Sequence, residues 1–107
     1  MKSPAGTLAQ AAALLLLVTV GPAVHASPEL AKLRNCMNCH GLDRKIVGPA
    51  FKDVAARYAG KAGAADVLAI KIVKGGGGAW GPVPMAANPG VSADEAKKLA
   101  AWVLTVK

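Results

Sequence analysis

The residues best suited to chemistry lie together in Cys36-Met37-Asn38-Cys39-His40. Two thiols three positions apart, followed at once by an imidazole, form the C-x-x-C-H pattern through which a c-type haem is attached. The spacing suits the task. At the end of a helix the two sulfurs reach the two vinyl groups on one side of a porphyrin, and the adjacent His40 is delivered to the iron. Thioether bonds hold the group where a small chain cannot enclose it by burial alone. Other chemistries fit less well. A structural zinc site takes four protein ligands from Cys and His, and beyond residue 26 only Cys36, Cys39 and His40 are present. A thiol-disulfide oxidoreductase using Cys36 and Cys39 is the alternative function, but it places C-x-x-C within a βαβ pattern that this chain lacks. A simple disulfide closes a loop too short to constrain the unfolded chain much, and it leaves His40 unexplained.

With a haem in place, the sixth coordination position decides the chemistry. An open position gives a five-coordinate gas-binding haem protein, whereas a second strong protein ligand leaves electron transfer. Met37 lies inside the attachment motif and cannot reach the opposite face. Met85 ends the run Trp80-Gly81-Pro82-Val83-Pro84-Met85, whose prolines fix φ and stiffen the segment carrying the sulfur. Beyond residue 26 there is no second histidine, so Met85 is the candidate by elimination. The bland reading of Met85 is a core gap-filler, and a lysine ligand in its place demands strong desolvation.

Helices must position these groups, and no strand is legible. Ser27 as N-cap, Pro28 at the first helical position and Glu29 in the first turn open a helix that ends at the cysteines, with Leu30, Leu33 and Met37 on its inner stripe. Residues 50–59 form a second, with Phe51, Val54, Ala55 and Tyr58 on one face, an Asp53–Arg57 pair and Gly60 as the stop. Residues 64–74 form a third, with Ala65, Leu68 and Ile72 on one stripe before Gly75. In the last, Ser92 and Glu95 make a capping box, and Leu99, Trp102, Val103 and Val106 face inward along a helix running nearly to Lys107. Residues 75–91, with six glycines and three prolines, form a loop long enough to be functional.

Length and composition set the frame. The 107 residues are 53% hydrophobic with a formal charge of +7, and the apolar excess is uneven. Lys2, an apolar run over residues 11–20 and Val24-His25-Ala26 read as a secretory signal cleaved after Ala26. That run falls short of the roughly 20 residues that span a bilayer, so no stable membrane insertion is expected after cleavage. The remaining domain, residues 27–107, holds 16 alanines and 25 larger apolar side chains. This is a thin core for a domain that already needs a staple. Without Lys2 it carries 12 basic and 6 acidic residues, a net of +6. Such a charge steers a protein toward an acidic docking face, with Arg44 and Lys45 beside the haem motif. Nucleic-acid binding is not expected, because no basic, aromatic-interleaved patch is present.

Cys36-Met37-Asn38-Cys39-His40, Val47-Gly48-Pro49-Ala50, Trp80 to Met85, Asn88 and Ala101-Trp102-Val103-Leu104 together resemble the short bacterial class I cytochromes c of the c-551 group, in matching order over nearly all of residues 28–107. The resemblance implies an all-α fold of about four helices around one covalently attached haem c, with the first and last helices crossing. It implies a monomeric periplasmic electron carrier and not an enzyme. Its partners would be nitrite reductase, a terminal oxidase or a membrane cytochrome complex. It also implies that Pro49 offers its carbonyl to His40 Nδ1, that Trp80 hydrogen-bonds a propionate, and that Asn88 hydrogen-bonds the ligand sulfur. Two departures stand out: residues 88–91 are one residue longer than the family pattern, and Lys71 replaces a frequent arginine, offering a point charge in place of a planar fork.

Overall fold

A computed structural model describes residues 1–4, 6, 15–19 and 28–107. The signal cleavage site, half of the apolar run before it and the Ser27 cap lie outside the described residues. Among the described residues no helix is long and apolar enough to cross a membrane.

Helix α1 (Pro28–Leu33) starts where Pro28 presets φ and Glu29 sits in the first turn. It is shorter than its hydrophobic spacing predicts. Asn35 takes a left-handed conformation, φ 62°, and breaks the helix before the stripe is complete. Leu30 and Ala31 are buried, whereas Leu33, expected on the inner stripe, is 69% exposed. Cys36 therefore opens a separate 3-10 turn, Cys36–Asn38, that Cys39 caps, and the cysteines do not stand on the end of a continuous helix.

Helix α2 (Phe51–Tyr58) buries Phe51, Val54 and Ala55. The expected Asp53–Arg57 pair does not form; Arg57 reaches across to Ala79 instead. Helix α3 (Ala64–Lys74) matches its predicted span, entered after Gly63 and left at Gly75, both at φ 72°. Helix α4 (Ala93–Val103) begins with half of the predicted capping box, Ser92 Oγ accepting from Glu95 N at 3.1 Å. It ends four residues before Lys107, where Thr105 Oγ1 donates to Trp102 O at 2.6 Å and closes the last turn.

The predicted loop contains a hairpin. Strand β1 (Gly76–Gly78) pairs antiparallel with β2 (Gly81–Met85), Gly76 opposite Met85 and Gly78 opposite Gly81. Glycine and proline are depleted from strands, so composition conceals a ribbon that only backbone pairing defines. The chain is otherwise helical, as expected.

One cluster joins the helices: Leu30 from α1, Phe51 and Val54 from α2, Leu68 from α3, Leu99 and Val103 from α4, with Val91 before it. Seven of the fourteen buried apolar residues are alanine, and Leu99 is the one large side chain buried to within 2% among the described residues. The thin core inferred from composition is real. Ala31, Ala96 and Ala100 are almost fully buried, and such small side chains let helix backbones approach closely.

The carboxylate of Glu95 leaves the capping box to take a two-pronged bond from Arg34, 2.8 Å from Nε and 2.7 Å from Nη2. It ties the segment leading into Cys36 to the first turn of α4. The Arg34 hydrogen bond holds the Glu95 carboxyl below the usual carboxylate range. A carboxyl lowered on folding stabilises above its unfolded value, about 4.3, and loses that contribution as pH falls through the lowered one. Glu95→Gln is therefore expected to lower the melting temperature at pH 7. The gap should begin to narrow as pH falls below about 4.3 and close once it passes the lowered native value, as thermal unfolding at a series of pH values would show.

Candidate functional site

The attachment segment is a tight turn. Cys39 N and His40 N both donate to Cys36 O, at 3.2 and 3.1 Å. The two thiols are free, Cys36 half-buried and Cys39 exposed, and burial pushes the Cys36 thiol up. Residues 41–49 then fold back beneath the turn, with Val47 N and Gly48 N donating to Cys39 O at 3.1 and 2.7 Å.

That return loop fixes His40. Pro49 O lies 2.7 Å from Nδ1, and because a carbonyl only accepts, Nδ1 is the donor and Nε2 keeps its lone pair for a metal. The ring stacks on Phe51, centroids 4.9 Å apart and 17° between planes, and Phe51 meets Trp102 edge-on at 5.2 Å. Gly48 closes the third side: a Cβ there would lie 2.6 Å from His40 Cε1. The imidazole is thus held by a hydrogen bond, a stacked ring and a bare backbone.

The facing wall is the hairpin. Pro82 and Pro84 stiffen β2, which ends at the half-buried Met85. Gly75 allows the return at the base, since a Cβ there would sit 2.5 Å from Met85 O. Asn88 does not bond the Met85 sulfur as the resemblance implies; its Nδ2 donates to Ile72 O at 2.8 Å and more weakly to Ala86 O at 3.4 Å. Trp80 lies under the Arg57 guanidinium, 4.3 Å from carbon to ring centroid.

Between the walls runs a cleft with about 1270 Å³ of empty space, its open mouth included. Cys36, Cys39, His40, Pro49, Trp80 and Met85 all line it; Asn88 does not. Its floor is the hydrophobic core itself, Leu68, Leu99 and Val103. A haem fits this set of groups. Two free thiols at the rim can form thioethers, a nitrogen with a free lone pair is held at one wall, a thioether sulfur lies on the other, and apolar side chains line the space between.

Fold and site together define a small helical domain built around one covalently attached c-type haem. The chain belongs to the cytochrome c family, whose sequence model matches residues 25–107. It is 60% identical to cytochrome c-551 of Azotobacter vinelandii over 79 residues, 74% of this chain and 95% of that one. It is 48% identical over 102 residues to cytochrome c-552 of Nitrosomonas europaea, 95% of this chain and 94% of that one. The crystal structure of wild-type Nitrosomonas europaea cytochrome c552 superposes with a TM-score of 0.74 at 52% identity, covering 76% of this chain and all of that one. The chain is a member of the class I c-551 group and a small monohaem electron carrier, with one haem c bound through Cys36 and Cys39.

Sequence reasoning found the residues that touch the cleft by motif, but it gave Gly48, Phe51 and Arg57 no role at the site. Glycine between Val47 and Pro49 carries no chemical signal, and its purpose emerges only from where His40 lies. Gly48→Ala is expected to force the imidazole aside and to destabilise the haem-loaded protein by about 1–3 kcal/mol, the usual range for overpacking. Thermal unfolding of the ferric protein measures it.

Proposed function

We propose that His40 Nε2 and Met85 Sδ are the axial ligands, and that the protein is a periplasmic carrier delivering single electrons to a terminal reductase, such as nitrite reductase, or to an oxidase. The observation that carries this reading is the 2.7 Å bond from His40 Nδ1 to Pro49 O, which leaves Nε2 as the coordinating nitrogen. Met85 supports it as the one methionine on the cleft wall opposite the attachment turn. The leader over residues 1–26 and a domain over residues 27–107 supply the export route.

Haem c supplies reversible one-electron exchange between ferric and ferrous iron. The residues around it supply the rest. Pro49 keeps the imidazole in one tautomer, and Phe51 and Gly48 keep its plane fixed, so little rearranges between oxidation states. Methionine sulfur favours the ferrous form and raises the potential. Trp80, on the cleft wall, would offer its indole N–H to a propionate of the bound haem. Asn88 secures the chain behind Met85 through Ile72 O.

The exposed Cys39 marks where a partner comes nearest. Ile46 and Val47 beside it are half exposed, and Arg44 and Lys45 stand on the same return loop. An acidic partner face meets both the charge and the apolar contact there. Electron transfer to such a partner is expected to slow as ionic strength rises, and a rate indifferent to salt in stopped-flow measurements counts against steering.

Met85→Ala tests the ligand assignment. It should open the sixth position, let the reduced protein bind carbon monoxide, and lower the potential by a sizeable share of the about 0.8 V that axial ligands span. An unchanged spectrum and potential would refute it.

A further inference from the structure

The hairpin that bears Met85 has little of its own to hold it in place. Strand β1 is three glycines, all exposed, so it offers no side chain to pack, and ordering glycine costs more backbone entropy than ordering any other residue. The two prolines of β2 donate no ladder hydrogen bond. An isolated two-stranded hairpin is marginal in water at best. Its position must be imposed from outside.

Two anchors are visible. At the base, Gly75 N donates to Lys71 O at 2.8 Å and Asn88 N to Val73 O at 3.1 Å, tying both ends to α3. At the tip a single side chain does the work. Arg57 Nη1 donates to Ala79 O at 2.5 Å, and the same guanidinium covers the Trp80 ring. Both contacts of this guanidinium go to the two residues that join β1 to β2, and it forms no ion pair with Asp53 on its own helix.

We propose that Arg57 is the positioning residue that pins the hairpin tip to α2 and so keeps the Met85 sulfur on the iron. This rests on Met85 being the sixth ligand. Arginine suits the role because its planar fork presents a donor edge to a carbonyl and a flat face to an indole at once, which a lysine ammonium cannot do. With the tip released, the base anchors are the protein contacts that still hold the ribbon against the pull of its own flexibility, and the glycine strand between them adopts many conformations at little steric cost. The sulfur then leaves its position more often. Arg57 is exposed and lies off the buried face of α2, so its substitution spares the core.

Carbon monoxide binds the reduced iron only when the sulfur is away, so its association rate reads the opening directly. The experiment compares the haem-loaded wild type with Arg57→Gln, Arg57→Lys and Met85→Ala, alongside far-ultraviolet circular dichroism and the reduction potential. Met85→Ala should bind fastest. Arg57→Gln should bind about thirtyfold faster than wild type, the low end of the combined weight of a charged hydrogen bond and an exposed cation–π contact, with helical content unchanged and the potential lowered. Arg57→Lys should fall between them. An Arg57→Gln rate equal to wild type, while Met85→Ala is fast, overturns the proposal, even if that variant melts earlier. If Met85→Ala binds no faster than wild type, the ligand assignment itself fails and this inference falls with it.

Discussion

Everything in this domain depends on the contact between a thin core and the group held in its cleft. Half of the buried apolar residues are alanine, and the larger ones, Leu68, Leu99 and Val103, face the cleft as well as one another. Burial stabilises roughly in proportion to apolar area removed from water, and a chain this short buries little by itself. The haem is therefore a structural member as well as a redox centre. Thioether attachment at Cys36 and Cys39 makes that member permanent, so the fold does not depend on the concentration of a free ligand in its surroundings.

The two walls of the cleft achieve their geometry by different means. The histidine wall is local: turn, return loop and Pro49 lie within fourteen residues, from Cys36 to Pro49, and the backbone folds back on itself to aim one ring. The methionine wall is remote and sparsely packed. It is a ribbon of glycine and proline whose location comes from α2 and α3. A rigid wall and a borrowed one face each other across the same cleft, and the aromatic series His40, Phe51, Trp102 couples the first to the C-terminal helix.

Much of this was legible in the residues. The Cys36 to His40 run named the cofactor, because covalent chemistry allows few residue types at few spacings, and Met85, singled out by elimination, lines the cleft. The 64–74 helix was readable from its stripe and its glycine stop. What failed to show had physical causes. The hairpin was hidden because glycine and proline carry no strand signature, and Leu33 was assigned inward because spacing alone cannot reveal that Asn35 turns left-handed. Glu95 fits a capping box on pattern, yet a guanidinium 61 residues away competes for its carboxylate. Arg57 fits an i,i+4 pair on pattern, yet its contacts lie on the hairpin. Local rules predict local partners, and both side chains chose distant ones. The Asn88 amide likewise spends its donors on backbone carbonyls and not on sulfur.

The Arg34–Glu95 tie has a consequence in time. Synthesis runs from the N-terminus, so the attachment turn two residues beyond Arg34 exists long before Glu95 does. Of the elements described, helix α4 is made after the others, and it brings Leu99, Ala100, Trp102 and Val103 to the cleft. During that interval the thiols and the imidazole stand on a chain that has one side missing. The wall that encloses the cofactor arrives after the segment that attaches it, and the ion pair latches the two together.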